Sequence, residues 1–433
     1  MDSTTWGAPG RQSRSSVDAG VSGAAEVLQH AEGGLAGPEV RGYGGAPLGN
    51  TAKSSSPPQQ ALQDKRRFKR LQMFEGLSWA RFYIYRRMQK IDPDRNPGDV
   101  YRTHDCRYVR RDRTVSVNSS VESGSAHYSG LATCGSVWAC PLCAAIIQQK
   151  RRQELVQLLS WAYANEYRPV MVTFTVPHTS FDTLSDLQDR LKAAFARLRG
   201  GNAWARFRDR YGFGGIVRSL EVTYGDNGWH PHTHEIWLVR GMSEFEKAEF
   251  EDFIKQRWKR VCIASGLLPA DDIRKQWYFG LHSVDVQFDV QDSDYLAKQD
   301  SSRAWGIDYE IASSNTKLGR SSGIHPHEFL IRREKGDVER YFEYINAMKG
   351  RRQIYWSPGL KELVGIVDAD DEDLADDGSS PDEATRVLGS LSQDQWELVR
   401  KRRKRAHILD AAESGGWPAV EALLISLGWD PYS

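Results

Sequence analysis

Three histidines alternate in GWHPHTHE: His230, His232 and His234. In an extended strand alternate side chains share a face, so the three imidazoles line up on one side. Neutral imidazole nitrogen suits Mn²⁺, Zn²⁺ and similar ions. Glu221, on the strand before, is close enough across a hairpin to add an oxygen ligand. Two strand-borne histidines and a carboxylate leave positions open on an ion. That suits Lewis-acid polarisation of a phosphate oxygen better than a closed structural site. The bland alternative is a solvent-facing cluster, but three of eleven histidines packed into five residues at strand period outweigh it.

A second element is DSDYLAKQ (292–299). On a helix, Tyr295 and Lys298 lie one turn apart and point the same way. A tyrosine hydroxyl can attack a phosphodiester and stay joined to it, and an ammonium can orient the phosphate or steady developing charge. Alone, Tyr-x-x-Lys is a weak motif; downstream of the histidine strand it gains weight.

Five cysteines remain. An odd count argues against a disulfide framework, and the spacing Cys134-x5-Cys140-x2-Cys143 points to a metal instead. With Cys106 upstream, four thiolates can hold a structural Zn²⁺; His104 is the alternative fourth ligand. Cys262, between Val261 and Ile263 on a helix, is most simply a core residue.

These side chains need elements to hold them. PVMVTFTV (169–176) reads as a buried strand. GGIVRSLEVTY (214–224) and HTHEIWLV (232–239) read as an antiparallel pair joined through GDNGW. VDVQFDV (284–290) is a further strand, followed by the helix carrying Tyr295. Helices are expected at 144–166, 183–198, 243–265 and 336–350. The order implies an α+β fold, an antiparallel sheet with helices packed on one face, preceded by the Cys-rich, zinc-binding-like segment. The expected divisions are a disordered tail rich in Gly, Ala, Ser and Pro (1–62), a basic helical segment (63–99), the Cys-rich segment (100–145), the sheet domain (146–360), an acidic linker (361–383) and a small helical C-terminal module (384–433).

The 433 residues carry a net charge of only +1, an average over unlike segments. Residues 65–90 hold nine Lys/Arg and one acid, and 368–383 hold nine Asp/Glu and no base. Such segregation fits a partner-binding protein. The basic stretches 65–70, 150–152 and 400–405 are candidate phosphate contacts, with Lys65, Arg66, Arg67, Lys150, Arg151 and Arg152 at the front, although a charge run is more often just a solvated surface. No apolar run approaches the roughly 18 residues that would span a bilayer, and the N-terminus has no secretory core segment, so a cytoplasmic protein with no membrane partner is expected. No G-x-x-x-x-G-K-[ST] occurs, which excludes P-loop ATPase chemistry and leaves no nucleotide cofactor to expect.

His-x-His on a strand followed by Tyr-x-x-Lys on a helix resembles the HUH endonucleases, and among them the replication initiators of small bacterial rolling-circle plasmids. The resemblance runs from about Cys106 to Leu360, through TCGSVWACPLCAAIIQQKRRQEL, TFTVPHT, SLEVTY, GWHPHTHEIWLV, DYLAKQ and RRQIYWSPGL in that order. It implies that TFTVPH (173–178) is a sheet strand near the active site. His232 and His234 would be the metal-binding pair, His230 a further histidine and Glu221 the acidic ligand, holding Mn²⁺ or Mg²⁺. Tyr295 would be the nucleophile and Lys298 its basic partner. One departure matters: the glutamate that some such initiators carry four residues before the tyrosine, to activate water at termination, is Gln291 here. Asp292 is the expected substitute, and Asp294 the weaker one. The implied partners are origin DNA, single-stranded or extruded as a hairpin, together with a host helicase and DNA polymerase. Two rivals stand beside this reading. One is a relaxase or single-strand transposase with the same chemistry; the other is a zinc-dependent DNA-binding regulator without catalysis.

Overall fold

A computed structural model describes residues 59–290, 323–375 and 384–430. Asp292, Tyr295 and Lys298, with Gln291 and Asp294, lie outside the described residues, as does all but the last four residues of the expected tail. In chain order the elements used below are α1 (Gln59–Ile91), β1 (Val115–Ser120), β2 (Ala126–Ser129), α2 (Pro141–Ala164), β3 (Arg168–Thr175), α3 (Leu184–Leu198), α4 (Gly201–Arg210), β4 (Gly215–Gly225), β5 (Gly228–Val239), α5 (Glu244–Ala264), α6 (Ile273–His282) and β6 (Val284–Gln287). Then come α7 (Asp337–Met348), β7 (Ile354–Trp356), α8 (Leu360–Val364), β8 (Thr385–Leu391), α9 (Gln393–Lys401) and α10 (Arg405–Ser426).

The main sheet has five antiparallel strands in the order β6-β3-β5-β4-β7. β4 and β5 form a hairpin closed by the Gly225↔Gly228 pair. Gly228 adopts φ 84, and a Cβ there would sit 3.0 Å from both Ser180 Cα and Thr179 O. The turn therefore needs glycine for its backbone angle and for the close approach of the β3–α3 loop. β6 is shorter than 284–290. Asp289 turns left-handed at φ 55, and Val290 N–H donates to Pro169 O at 3.1 Å, which ends the ladder.

Helices cover both faces of this sheet, not one as expected. On the first face Val172, Phe174, Ile216, Leu220, Trp237 and Val239 are buried with Phe195 of α3, Trp204 and Phe207 of α4, and Phe250 and Trp258 of α5. Phe174 and Trp258 rings meet at 4.7 Å. On the second face Met171, Val217, Ile236 and Leu238 pack on Leu155, Leu158, Leu159 and Ala162 of α2 and on Leu360 and Val364 of α8. The reason is legible in the strands: VMV in β3 and IWLV in β5 are unbroken apolar runs, so both of their faces must be shielded from water. The apolar packing on the second face gives way where the strands turn polar, at Thr173, Ser219 and His234, and there the histidine row begins.

A second sheet has the order β2-β1-β8. The C-terminal segment, expected as a separate helical module, contributes β8 to the edge of this sheet, and α10 packs against α1, β1 and β2. Arg70 of α1 donates to Asp410 Oδ1 at 2.6 Å, and the Tyr128 hydroxyl donates to Arg405 O at 2.7 Å. α10 is broken at Gly415 and Gly416, and Pro418 follows the break, where a proline is tolerated. The segment expected as an acidic linker is partly folded: Val364 and Ala375 are buried, and Asp371 pairs with Arg151 of α2 at 3.1 Å.

Candidate active site and metal centre

Strand register brings the first site together. Glu221 lies directly opposite His232, Ser219 opposite His234, and on the other flank of β5 Thr175 faces His232 and Thr173 faces His234. Glu221, His232 and His234 all sit on the sheet's second face, with one ligand atom from each within 4.8 Å of the others. His232 Nε2 is 3.0 Å and His234 Nε2 3.5 Å from Glu221 Oε2. Two atoms about 2.1 Å from one cation and at right angles to each other lie about 3.0 Å apart, so these separations match a shared ion.

The opposite ring nitrogens are already engaged. His232 Nδ1 meets His230 O at 3.3 Å, and His234 Nδ1 meets Thr173 Oγ1 at 3.0 Å. A carbonyl oxygen can only accept, so His232 Nδ1 carries a hydrogen, which in the neutral ring leaves the Nε2 lone pair facing Glu221. Lone pairs facing a carboxylate at 3.0 Å repel unless positive charge sits between them, as a proton on each imidazole or as a cation. Burial opposes charge on Glu221, but hydrogen bonds from His232 and His234 outweigh it and hold the carboxyl well below the usual carboxylate range. The donor set therefore fits a divalent ion.

His230 does not join this group. Its Nδ1 lies 2.7 Å from His178 Nε2, and His178 Nδ1 donates to Asn227 O at 2.9 Å. Two residues near the site were not singled out from the sequence. Thr173 orients His234, and its only signal was its place in TFTVPH. His325 is brought to the edge of β4 by a bridge between Tyr224 and Ile324; burial pushes its imidazole down to about 4, against the Glu221 charge nearby. Its signal was present: His325-Pro326-His327 repeats the His230-Pro231-His232 triplet. His327 is turned away, to Trp138 O at 2.7 Å.

The second centre is Cys106, Cys134, Cys140 and Cys143, all buried and with sulfurs within 4.8 Å of one another. Cys106 Sγ is 3.6 Å from Cys140 Sγ and 3.5 Å from Cys143 Sγ, and Cys134 Sγ is 3.7 Å from Cys143 Sγ. Four sulfurs about 2.3 Å from a tetrahedral Zn²⁺ lie about 3.8 Å apart, so the cluster could hold zinc with little movement. Cys140 caps α2, Pro141 starts the helix, and Cys143 N–H donates back to Cys140 Sγ at 3.4 Å, so the turn presents two sulfurs together. Cys106 is the fourth member; His104 instead contacts Asp105 Oδ1 at 2.6 Å. Cys262 is buried in α5, as expected.

Of the basic residues proposed to contact phosphate, Lys65 and Arg66 are exposed. Arg67 donates to Ser414 Oγ at 2.7 Å. Arg151 is turned inward, to Glu154 Oε1 at 2.9 Å and Ala369 O at 2.9 Å. Lys150 and Arg152 are half-buried.

Residues 130–265 match the family described as a replication protein. The likeness lies in that segment. It holds β3, β4 and β5 with Glu221, His232 and His234, and three of the four cysteines. Over 354 residues the chain is 28% identical to "Protein rep" of Streptomyces lividans, covering 67% of this chain and 77% of that protein. Over 181 residues it is 33% identical to a "Neomycin resistance protein" of Streptomyces cyanogenus, covering 36% of this chain and 39% of that protein. No solved structure matches. Among the described residues no helix is long and apolar enough to cross a membrane.

Proposed function

We propose that this protein is a replication initiator, which starts rolling-circle replication of a plasmid by nicking one strand of its origin. The convergence of Glu221, His232 and His234 at one end of the sheet's second face carries this reading, together with the similarity to replication proteins. A divalent ion, Mn²⁺ or Mg²⁺, held by these three side chains supplies Lewis-acid polarisation of the scissile phosphate. The Tyr295 hydroxyl attacks the phosphorus. A tyrosyl O–P bond forms as the P–O3′ bond breaks, leaving a 5′-phosphotyrosyl link and a 3′-OH that primes a host polymerase. One phosphodiester replaces another, so the strand is later rejoined by the reverse exchange without ATP. Lys298 orients the phosphate, and Asp292 activates water at termination in place of the missing glutamate. The segment cut is single-stranded, as in an extruded hairpin loop, and a host helicase supplies unwinding. Zn²⁺ on the four cysteines is structural, and the protein works in the cytoplasm.

The test is an origin oligonucleotide labelled 3′ of the nick, incubated with Mn²⁺ and run on a denaturing gel. The wild-type protein band becomes labelled, and Tyr295→Phe abolishes both label and cleavage. Full adduct formation by Tyr295→Phe would overturn the assignment of the nucleophile. Tight origin binding with no cleavage by the wild type would move the function to a non-catalytic regulator.

A further inference from the structure

Two arginine-rich runs, separated by most of the chain, meet beside the cysteine centre: RYVRRDR at 107–113 and RKRRKR at 400–405. Trp396 Nε1 and Arg400 Nη1 both donate to Tyr108 O, at 3.1 and 3.4 Å, and Arg110 Nη2 donates to Gln393 Oε1 at 2.9 Å. The guanidiniums of Arg81 and Arg400 lie 3.7 and 4.6 Å from the centre of the Tyr108 ring. With Arg405 of α10 at 5.5 Å from the same centre, three helices deliver like charges around one side chain. The carboxylates that pair with this set are Asp105, 3.7 Å from Arg81, and Glu397, 3.4 Å from Lys401.

The run 400–405 is also rigidly mounted. Arg405 is buried and donates to Arg107 O at 2.8 Å and Ser78 Oγ at 2.7 Å. Between it and α9 the chain makes a tight turn: Arg403 takes φ 55, and Lys404 N–H donates to Val399 O at 2.9 Å. That turn presents Lys401, Arg402 and Arg403 to solvent. Holding cations this close costs electrostatic free energy, which an anion with regularly spaced charges would relieve.

We propose that this patch, built on Arg81, Arg110, Arg400, Lys401, Arg402 and Arg403, binds the phosphate backbone of duplex DNA. It uses none of the strands that carry Glu221, His232 and His234, so it is a second DNA contact, and it rests on the nucleic-acid reading above. Single-stranded DNA would need an open aromatic platform for its bases. The aromatic ring at the centre of this patch, Tyr108, is already packed by guanidinium groups, which favours backbone contact with a duplex.

The experiment measures full-length protein binding to a fluorescent duplex of unrelated sequence at several salt concentrations. Each phosphate contact contributes about 0.9 to the slope of log K against log salt, so Arg402→Gln with Arg403→Gln should make the slope shallower by about 2. Arg206→Gln with Arg208→Gln, which removes the same charge from exposed positions on α4, should leave the slope near that of the wild type. An unchanged slope for the first pair, or an equal loss for both pairs, overturns the proposal. Nicking of a single-stranded origin oligonucleotide by the wild type is run separately. Its failure would sink the nicking reading while leaving the duplex comparison intact.

Discussion

Glu221 and His232 are eleven positions apart in the chain and directly opposed in the sheet, and a donor set that could hold a metal ion follows from that pairing. Thr173 is the lever behind it. Its Oγ1 is 3.0 Å from His234 Nδ1, and such outer contacts fix the ring that ligates. Thr173→Val keeps the β-branched shape and removes the oxygen. Mn²⁺ affinity, measured by calorimetry, should fall about 10- to 100-fold, with little change in thermal stability. Unaltered affinity would show that Thr173 does not orient His234. Glu328 offers a pH test. Burial raises its carboxyl from 4.5 to about 7, so the folded state holds the proton more tightly than the unfolded chain does. The stability this gives is fully present below about 4.5 and is lost as pH rises through about 7. Glu328→Gln should therefore raise the melting temperature at pH 8 and have little effect at pH 5, with a gain of at most about 3 kcal/mol at the alkaline end. Equal effects at both pH values would contradict the buried, protonated assignment.

At the scale of elements, the β4–β5 hairpin decides whether Glu221 faces His232 at all. A one-residue slip would turn every side chain of one strand to the other face. Gly228, at φ 84 and packed against Ser180, is where that register is set. Gly228→Ala puts a Cβ into the left-handed region and against neighbouring backbone; it should cost about 1–3 kcal/mol in urea unfolding and weaken Mn²⁺ binding in parallel. A stability loss without weaker metal binding would separate the turn from the site. The same hairpin explains why Glu235, next to His234 in sequence, is no ligand. It lies on the opposite face, fully buried, and is bonded to Arg199 and Trp237.

At the scale of the whole molecule, the cysteine centre joins distant parts of the chain. Cys106 belongs to a loop whose carbonyls are held by Arg405 and Trp396, while Cys140 and Cys143 begin the helix that covers the second face of the main sheet. A metal on these thiolates therefore ties the C-terminal segment to the sheet. Binding to the folded state alone stabilises it, and the coupling is reciprocal. Removing zinc with a chelator should lower the melting temperature and speed hydrogen exchange across 385–424 as well as around 134–143. Exchange that quickens only beside the cysteines would show that the C-terminal segment docks independently.

Local spacing in the sequence was enough to reveal the histidine row, the turn before it, the helices at 183–198 and 243–265, and a cysteine cluster of tetrahedral type. Each is a short-range pattern, because side-chain period and ligand spacing act within a few residues. The strand pairing of 385–391 with 115–120, the inward turn of Arg151, the closeness of His325 to Glu221 and the meeting of the two arginine runs are of another kind. They join residues far apart in the chain, and their geometry depends on which faces the folded molecule buries. IWLV and VMV did signal that both sides of the sheet need cover. Which helices supply it on the second face was decided only by the packing of α2 and α8 against one half of that face.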